Sequence, residues 1–177
     1  MFEVIKSGLE TSVQDYPGRI GGLNQGLPMS GPMDNWSFRL ANILVGNKSD
    51  EAGLECQFIG PTIKFLKDRV IAITGANMSP KIDGVPIPMW ENIYVKANQI
   101  LELEFAIIGA RTYIAFSGGI KTDPFSSSWV RNCKICSSGI PNCSKTFGKY
   151  ALVTLPKIGK NFAKFLLVFC ISSLSLA

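Results

Sequence analysis

The sequence predicts a mainly β domain, a barrel or compact sandwich that carries a single α-helix. Three observations lead there. Short apolar runs recur through residues 1–123, glycine- and proline-rich turn signals separate them, and only one stretch, after Asp34, has helical spacing. Many short strands beside one helix is the pattern of a closed or sandwiched sheet rather than of a bundle or a doubly wound fold.

The elements follow in order. Residues 2–6 alternate as a short strand. The next segment, Val13-Gln14-Asp15-Tyr16-Pro17-Gly18-Arg19, is answered by Met29-Ser30-Gly31-Pro32-Met33-Asp34, and neither has apolar periodicity. Glycine permits positive φ and close backbone approach, whereas proline fixes φ and removes a donor. Both runs therefore read as rigid loops, the kind of place where a scaffold carries a site. Asp34 is a good N-cap, Trp36, Leu40, Ile43 and Leu44 recur at helical spacing, and Gly46-Asn47 stops the element, which predicts a helix over residues 34–45. Strands are predicted at residues 53–58, 62–66, 70–74, 92–96, 100–105 and 112–117. Gly60-Pro61 marks a turn, and Asp83-Gly84 marks a hairpin between Lys81-Ile82 and Val85-Pro86-Ile87. No internal repeat is present.

Composition divides the chain into two chemically different parts. It has 177 residues, 46% hydrophobic and 18% charged, enough for one domain with a real core. The net charge of +5 is unevenly spread: all 13 acidic residues but only 11 of the 18 basic ones lie at or before Asp123, a net of −2 there. The 7 remaining bases have no acid among them, and Cys133, Cys136, Cys143 and Cys170 lie in the same part. Cys56, the single cysteine of the first part, reads as a small buried hydrophobe in a reducing compartment. The start, Met1-Phe2-Glu3-Val4-Ile5-Lys6, lacks a basic region followed by a long apolar stretch, so the expectation is a cytoplasmic chain. The apolar run Phe165–Ile171 is followed by serines and falls short of the roughly 20 residues of a membrane span.

Several chemistries are excluded or unsupported. Histidine is absent, which removes Ser-His-Asp and Cys-His catalysis and histidine-ligated metals. Acid–base work then falls to Asp, Glu, Lys, Tyr or a group from another chain. Cys133-x2-Cys136 with Cys143 offers three thiolates, but the fourth, Cys170, sits inside an apolar run, so free thiols are the better reading than zinc. Gly18-Arg19-Ile20-Gly21-Gly22 matches neither standard phosphate loop. The lysine-rich tail has no RNA-binding signature, so a nucleic-acid partner is not expected.

Glu55 and Arg111 are charges embedded in strands, either on a solvent face, ion-paired inside, or in a site. Gln14, Asp15 and Arg19 lie where loop polar groups can point at a ligand, although Asp15 can equally cap a turn. Trp36 and Trp90 read as core or interface packing.

Val13-Gln14-Asp15-x-x-Gly18-Arg19, Ser30-Gly31-Pro32-Met33-Asp34, Arg39-x-Ala41-Asn42-x-Leu44-Val45-Gly46-Asn47, Leu54-Glu55, Gly60-Pro61, Thr74-Gly75-Ala76, Asp83-Gly84, Gly109-x-Arg111-x-Tyr113-Ile114-Ala115 and Gly118-Gly119-Ile120 occur in that order. Taken together, they resemble the biotin-dependent carboxyltransferase family. That family comprises allophanate hydrolase subunit 2, the second half of the urea carboxylase carboxyltransferase domain, and the C subunit of 5-oxoprolinase, also known as the KipI antagonist. The resemblance implies a cyclophilin-like β-barrel. It implies a subunit that acts on an amide C–N bond together with a KipI-like subunit 1 and a third 5-oxoprolinase subunit. ATP would be used at the level of the complex, and carboxybiotin in the urea carboxylase branch, with no cofactor bound by this chain alone. The alternatives are a non-catalytic regulatory binder of the KipI-antagonist type and an inactive fragment.

Motif position and residue chemistry together nominate Asp15, Arg19, Glu55 and Arg111 as catalytic and Gln14, Ser30 and Asp34 as substrate-binding, gathered on one face of the barrel. Arg19 and Arg111 would hold a carboxylate-like group, Asp15 or Glu55 would orient them or handle protons, and Ser30 would donate from a rigid turn. The likeness covers residues 1–124 and fades at Asp123-Pro124-Phe125-Ser126-Ser127-Ser128-Trp129-Val130-Arg131. The expectation is therefore an incomplete barrel followed by a divergent basic tail over residues 125–177, out of frame or lineage-specific.

Overall fold

The computed structural model describes residues 2–18 and 30–120. Arg19, the cysteine set Cys133, Cys136, Cys143 and Cys170, the apolar run near the C-terminus and the tail boundary at residue 124 lie outside the described residues. The described chain forms β1 (Phe2–Lys6), β2 (Glu10–Gln14), α1 (Asn35–Leu44), β3 (Gly53–Gln57), β4 (Thr62–Phe65), β5 (Arg69–Asn77), β6 (Lys81–Ile82), β7 (Val85–Pro86), β8 (Asn92–Val95), β9 (Ile100–Glu102) and β10 (Ile108–Phe116). Two five-stranded antiparallel sheets result, ordered β1-β4-β9-β6-β7 and β2-β3-β10-β5-β8, and among the described residues they do not close on each other. This is the mainly β, incomplete barrel with one helix that the sequence predicts.

Side-chain alternation explains how the sheets meet. Every second residue of a strand faces the same way, and one face of each sheet is apolar. Val4, Ile63, Phe65, Ile82 and Leu101 from the first sheet pack against Val13, Leu54, Cys56, Ile71, Ile73, Val95, Ile114 and Phe116 from the second. The Phe116 ring stacks on Phe2, with centroids 4.7 Å apart, and closes one end of this layer. Burial pushes the Cys56 thiol up to about 12, so it behaves as a hydrophobe.

The second face of the β2-β3-β10-β5 sheet is polar and carries α1. Sequence and structure part here. Helical spacing locates the helix, but Trp36 and Ile43 point outward, 73% and 54% exposed, while Ser37, Phe38, Ala41 and Asn42 face the sheet. Trp90 is also surface-lying, so the core reading of the two tryptophans is corrected. Strand β2 is a second departure, because Val13 and Gln14 end a paired strand rather than open a loop. Their register against Leu54 and Gly53 supplies ladder hydrogen bonds that no local propensity signals. The Asp83-Gly84 hairpin forms as predicted, with Ile82 opposite Val85 and both turn residues at positive φ.

Two asparagines fasten the helix end. Gly46, at φ +75°, ends α1, and the Asn47 amide donates to the Asn42 carbonyl. Asn42 Nδ2 donates to the Glu51 carbonyl at 2.8 Å. Asn47 Nδ2 donates to Asn42 Oδ1 and to the Phe116 carbonyl, and Asn47 Oδ1 accepts from the Gly118 amide. One small polar cluster thus ties α1 to the start of β3 and the end of β10. Asn42→Ala is expected to lower unfolding stability by about 2 kcal/mol, because it strands buried partners, and chemical denaturation of the full chain measures it.

Candidate functional site

The polar face is ordered by register. Ser12 on β2, Glu55 on β3, Tyr113 on β10 and Thr74 on β5 stand directly opposite one another in successive pairs, so they form one row across four strands. Arg111 stands one pleat along, opposite Gln57 and diagonal to Glu55. A bulge sets its aim: between the Ile108–Asn77 and Thr112–Gly75 pairs, β10 places Gly109, Ala110 and Arg111 against Ala76 alone. The strands come so close there that a Cβ on Gly75, which has φ +86°, would sit 2.5 Å from the Arg111 carbonyl oxygen.

Glu55 is 6% exposed, and its carboxylate is fully engaged. Oε1 accepts from the Arg111 guanidinium at 2.7 Å, and Oε2 accepts from the Met33 amide at 2.8 Å. The Tyr113 hydroxyl is a further partner of the carboxylate and itself accepts from the Asp34 amide at 2.8 Å. Burial, with the neighbouring Glu55 charge, pushes the Tyr113 phenol well above its ordinary value, so it stays protonated and able to donate. The Tyr113 ring meets Phe38 edge-on at 6.0 Å, which sets α1 against the same row.

The two loop motifs pack backbone to backbone. A Cβ at Gly18, φ +91°, would fall 1.8 Å from the Ser30 carbonyl oxygen, and one at Gly31, φ +140°, would fall 2.9 Å from that of Pro17. Only glycine permits this approach. Residues 15–18 and 30–33 therefore form one unit, and the Met33 and Asp34 amides fasten it to Glu55 and Tyr113. Gln14 ends β2 beside this unit, 5% exposed, with Nε2 donating to Ser12 at 2.9 Å. Asp15, also 5% exposed, follows it.

The structure thus brings Glu55 and Arg111 into direct contact and sets Ser30 against Gly18, while Gln14 and Asp15 are buried in the segment that leads to Gly18. Asp34 does something different from ligand binding. Its Oδ1 accepts from the Trp36 and Ser37 amides at 3.0 and 3.1 Å, and its Oδ2 accepts from the Ser37 hydroxyl. The side chain is the N-cap of α1, while its backbone reaches Tyr113. Sequence reasoning assigned no role to Tyr113, Ser12, Thr74, Tyr16 or Arg39. The signal for Tyr113 was present in the period-2 spacing from Arg111 within an apolar strand.

The chain is similar to known proteins. A family profile, carboxyltransferase domain, subdomain A and B, matches residues 25–140. Urea amidolyase of Saccharomyces cerevisiae is 41% identical over 127 residues, which cover 72% of this chain and 7% of that protein. The 5-oxoprolinase C subunit of Escherichia coli is 33% identical over 140 residues, 79% of this chain and 45% of that protein. The crystal structure of the K. lactis urea amidolyase superposes with a TM-score of 0.65 and 45% identity, over 67% of this chain and 7% of that one. The chain therefore spans less than half the length of these relatives.

The charges of the site make its energetics testable. Burial raises the Asp34 carboxyl, but the Ser37 hydroxyl and the Ser37 and Trp36 amides outweigh it and hold it below its ordinary 3.8. A carboxyl lowered on folding adds stability above that ordinary value and loses it as pH falls through the folded one. Asp34→Asn, which keeps a capping side chain, should flatten this part of the stability profile below about pH 4, whereas Asp34→Ala should cost about 1 kcal/mol at neutral pH. Arg111→Met should cost about 2 kcal/mol by leaving Glu55 buried and unpaired, and adding Glu55→Gln should restore part of it in a double-mutant cycle.

Proposed function

Since the chain belongs to the carboxyltransferase domain family of subdomains A and B, we propose that it is part of a multi-component enzyme of the urea carboxylase or 5-oxoprolinase kind, acting on an amide C–N bond. The observation that carries this reading is the Glu55–Arg111 pair. Arg111 donates one terminal N–H to a buried carboxylate and keeps a side chain 30% exposed. Its remaining N–H groups suit a planar carboxyl group, which a guanidinium grips through two parallel bonds. Glu55 has donors on both oxygens, so it serves as the positioning residue for Arg111 rather than as a free base. Tyr113, kept protonated, gives its one hydroxyl proton to the same carboxylate and so helps hold Glu55 in place.

The chemistry is completed by other chains. ATP is used at the level of the complex, and the partners are a KipI-like subunit 1 and a third 5-oxoprolinase subunit. Carboxybiotin, in the urea carboxylase branch, brings the transferable carboxyl group when bound, and Arg111 is the described residue suited to hold its oxygens. The outward face of α1 and the residue before its cap, with Trp36 and Met33 73% and 74% exposed, support work inside a larger assembly. That same face also supports the competing reading, a regulatory subunit that binds a partner without catalysis.

Turnover separates the two. With 5-oxoprolinase partner subunits supplied, the full chain is expected to sustain ATP-dependent glutamate release from 5-oxoproline, or, with a biotin carrier, carboxylation of urea. Arg111→Met should lower that rate at least about a hundredfold, as loss of a preorganised charge does, with Arg111→Lys in between. Partner binding without any turnover on either substrate would favour the regulatory subunit, and an Arg111→Met variant at full rate would remove the site.

A further inference from the structure

Gln57 is the polar neighbour of Arg111 that the ion pair leaves unused. It ends β3, directly opposite Arg111 on β10 and opposite Glu10 on β2. The Phe58 amide donates to the Ala110 carbonyl at 2.8 Å, which makes the adjacent Gln57–Arg111 pair a non-hydrogen-bonded one. In such pairs the two side chains leave the same face at their closest spacing. Glu55 and Gln57 are successive residues of β3 on this face. The Arg111 side chain, which reaches diagonally to Glu55 at 2.7 Å, therefore rises directly opposite Gln57. Gln57 is partly exposed, its carboxamide makes no hydrogen bond among the described residues, and neither of its polar atoms is shut off from solvent. The Arg111 side chain beside it is 30% exposed.

The two side chains offer complementary chemistry. A guanidinium with one N–H given to Glu55 keeps donors for a carboxylate. A carboxamide carries one acceptor and two donors, the pattern that meets the N–H and C=O of another amide through two parallel bonds. Gln57 is also uncharged, whereas an acid at its position would repel an anion at Arg111. We propose that Gln57 is the specificity residue of the Arg111 site. Its carboxamide pairs with the amide group of a substrate whose carboxylate Arg111 holds, so the site selects small acids that carry an amide beside the carboxylate. The carboxylate anchor at Arg111 rests on the function proposed above; the choice of an amide-bearing acid over a plain one belongs to Gln57.

Calorimetric titration of the full chain with 5-oxoproline and with cyclopentanecarboxylate, which has a ring of the same size and the carboxylate but no amide, tests it. 5-oxoproline should bind about tenfold tighter, the net worth of two hydrogen bonds. Gln57→Met, which keeps the length of the side chain without its amide, should bring the two affinities together. Arg111→Lys should weaken both acids and preserve their ratio. Thermal melts identify the variants that fold, and Gln57→Leu takes the place of Gln57→Met if the latter does not. Equal affinities in the wild-type chain, or a ratio that survives in a folded Gln57 variant, would overturn the role of Gln57 and leave the anchor at Arg111 standing. Binding of neither acid to the wild-type chain would instead overturn that anchor, and the role of Gln57 with it.

Discussion

A carboxylate cannot be taken out of water without donors to meet it, and Glu55 is where this fold is most constrained by that rule. Burying it alone would cost several kcal/mol. The chain meets the demand from three places: the Arg111 guanidinium out of a bulge in β10, the Tyr113 hydroxyl from the same strand, and the Met33 amide from the segment before α1. Each partner constrains something larger. Arg111 needs the bulge and hence glycine at 75 and 109, both at positive φ. Met33 fixes the loop that packs on residues 15–18, and Tyr113 fixes the Asp34 amide, where the helix begins. The polar face of the second sheet is thus organised around one charge.

That constraint separates what was legible in the sequence from what was not. Strands were legible, because alternation between two faces is local: β4, β8 and the Asp83-Gly84 hairpin fall close to where the pattern puts them. The helix was legible by its cap and its stop, Asp34 and Gly46-Asn47. Its orientation was not. Trp36, Leu40, Ile43 and Leu44 form the apolar stripe that ordinarily faces inward, yet the sheet beneath is polar, and the Ser37 carbonyl accepts from Thr74 while Asn42 reaches Glu51. Periodicity reports that one face differs from the other, and not which of them meets the sheet. Strand β2 escaped for a related reason, since its pairing with β3 is long-range and its residues are polar on the helix-side face.

The candidate site divides along the same line. That Glu55 and Arg111 belong together follows from a two-residue diagonal across an antiparallel pair, which needs the register and not merely the residue types. Asp34 carries charge beside the loops but uses it on its own helix. Sequence reasoning gave Arg39 no role, and its place over the Tyr16 ring emerges only from the fold. The polar face thus sets one guanidinium against a carboxylate, at Arg111, and the helix sets another over an aromatic ring, at Arg39.

Amide hydrogen exchange resolved by residue tests the Glu55 constraint most directly. Met33 is 74% exposed as a residue, so its N–H would exchange freely unless Glu55 holds it. The Met33 and Asp34 amides are expected to be protected in the wild-type chain, with the protection lost in Glu55→Ala while Leu54 and Ile114 in the core keep theirs. Fast exchange at Met33 and Asp34 in the wild type, or protection indifferent to Glu55, would contradict the account.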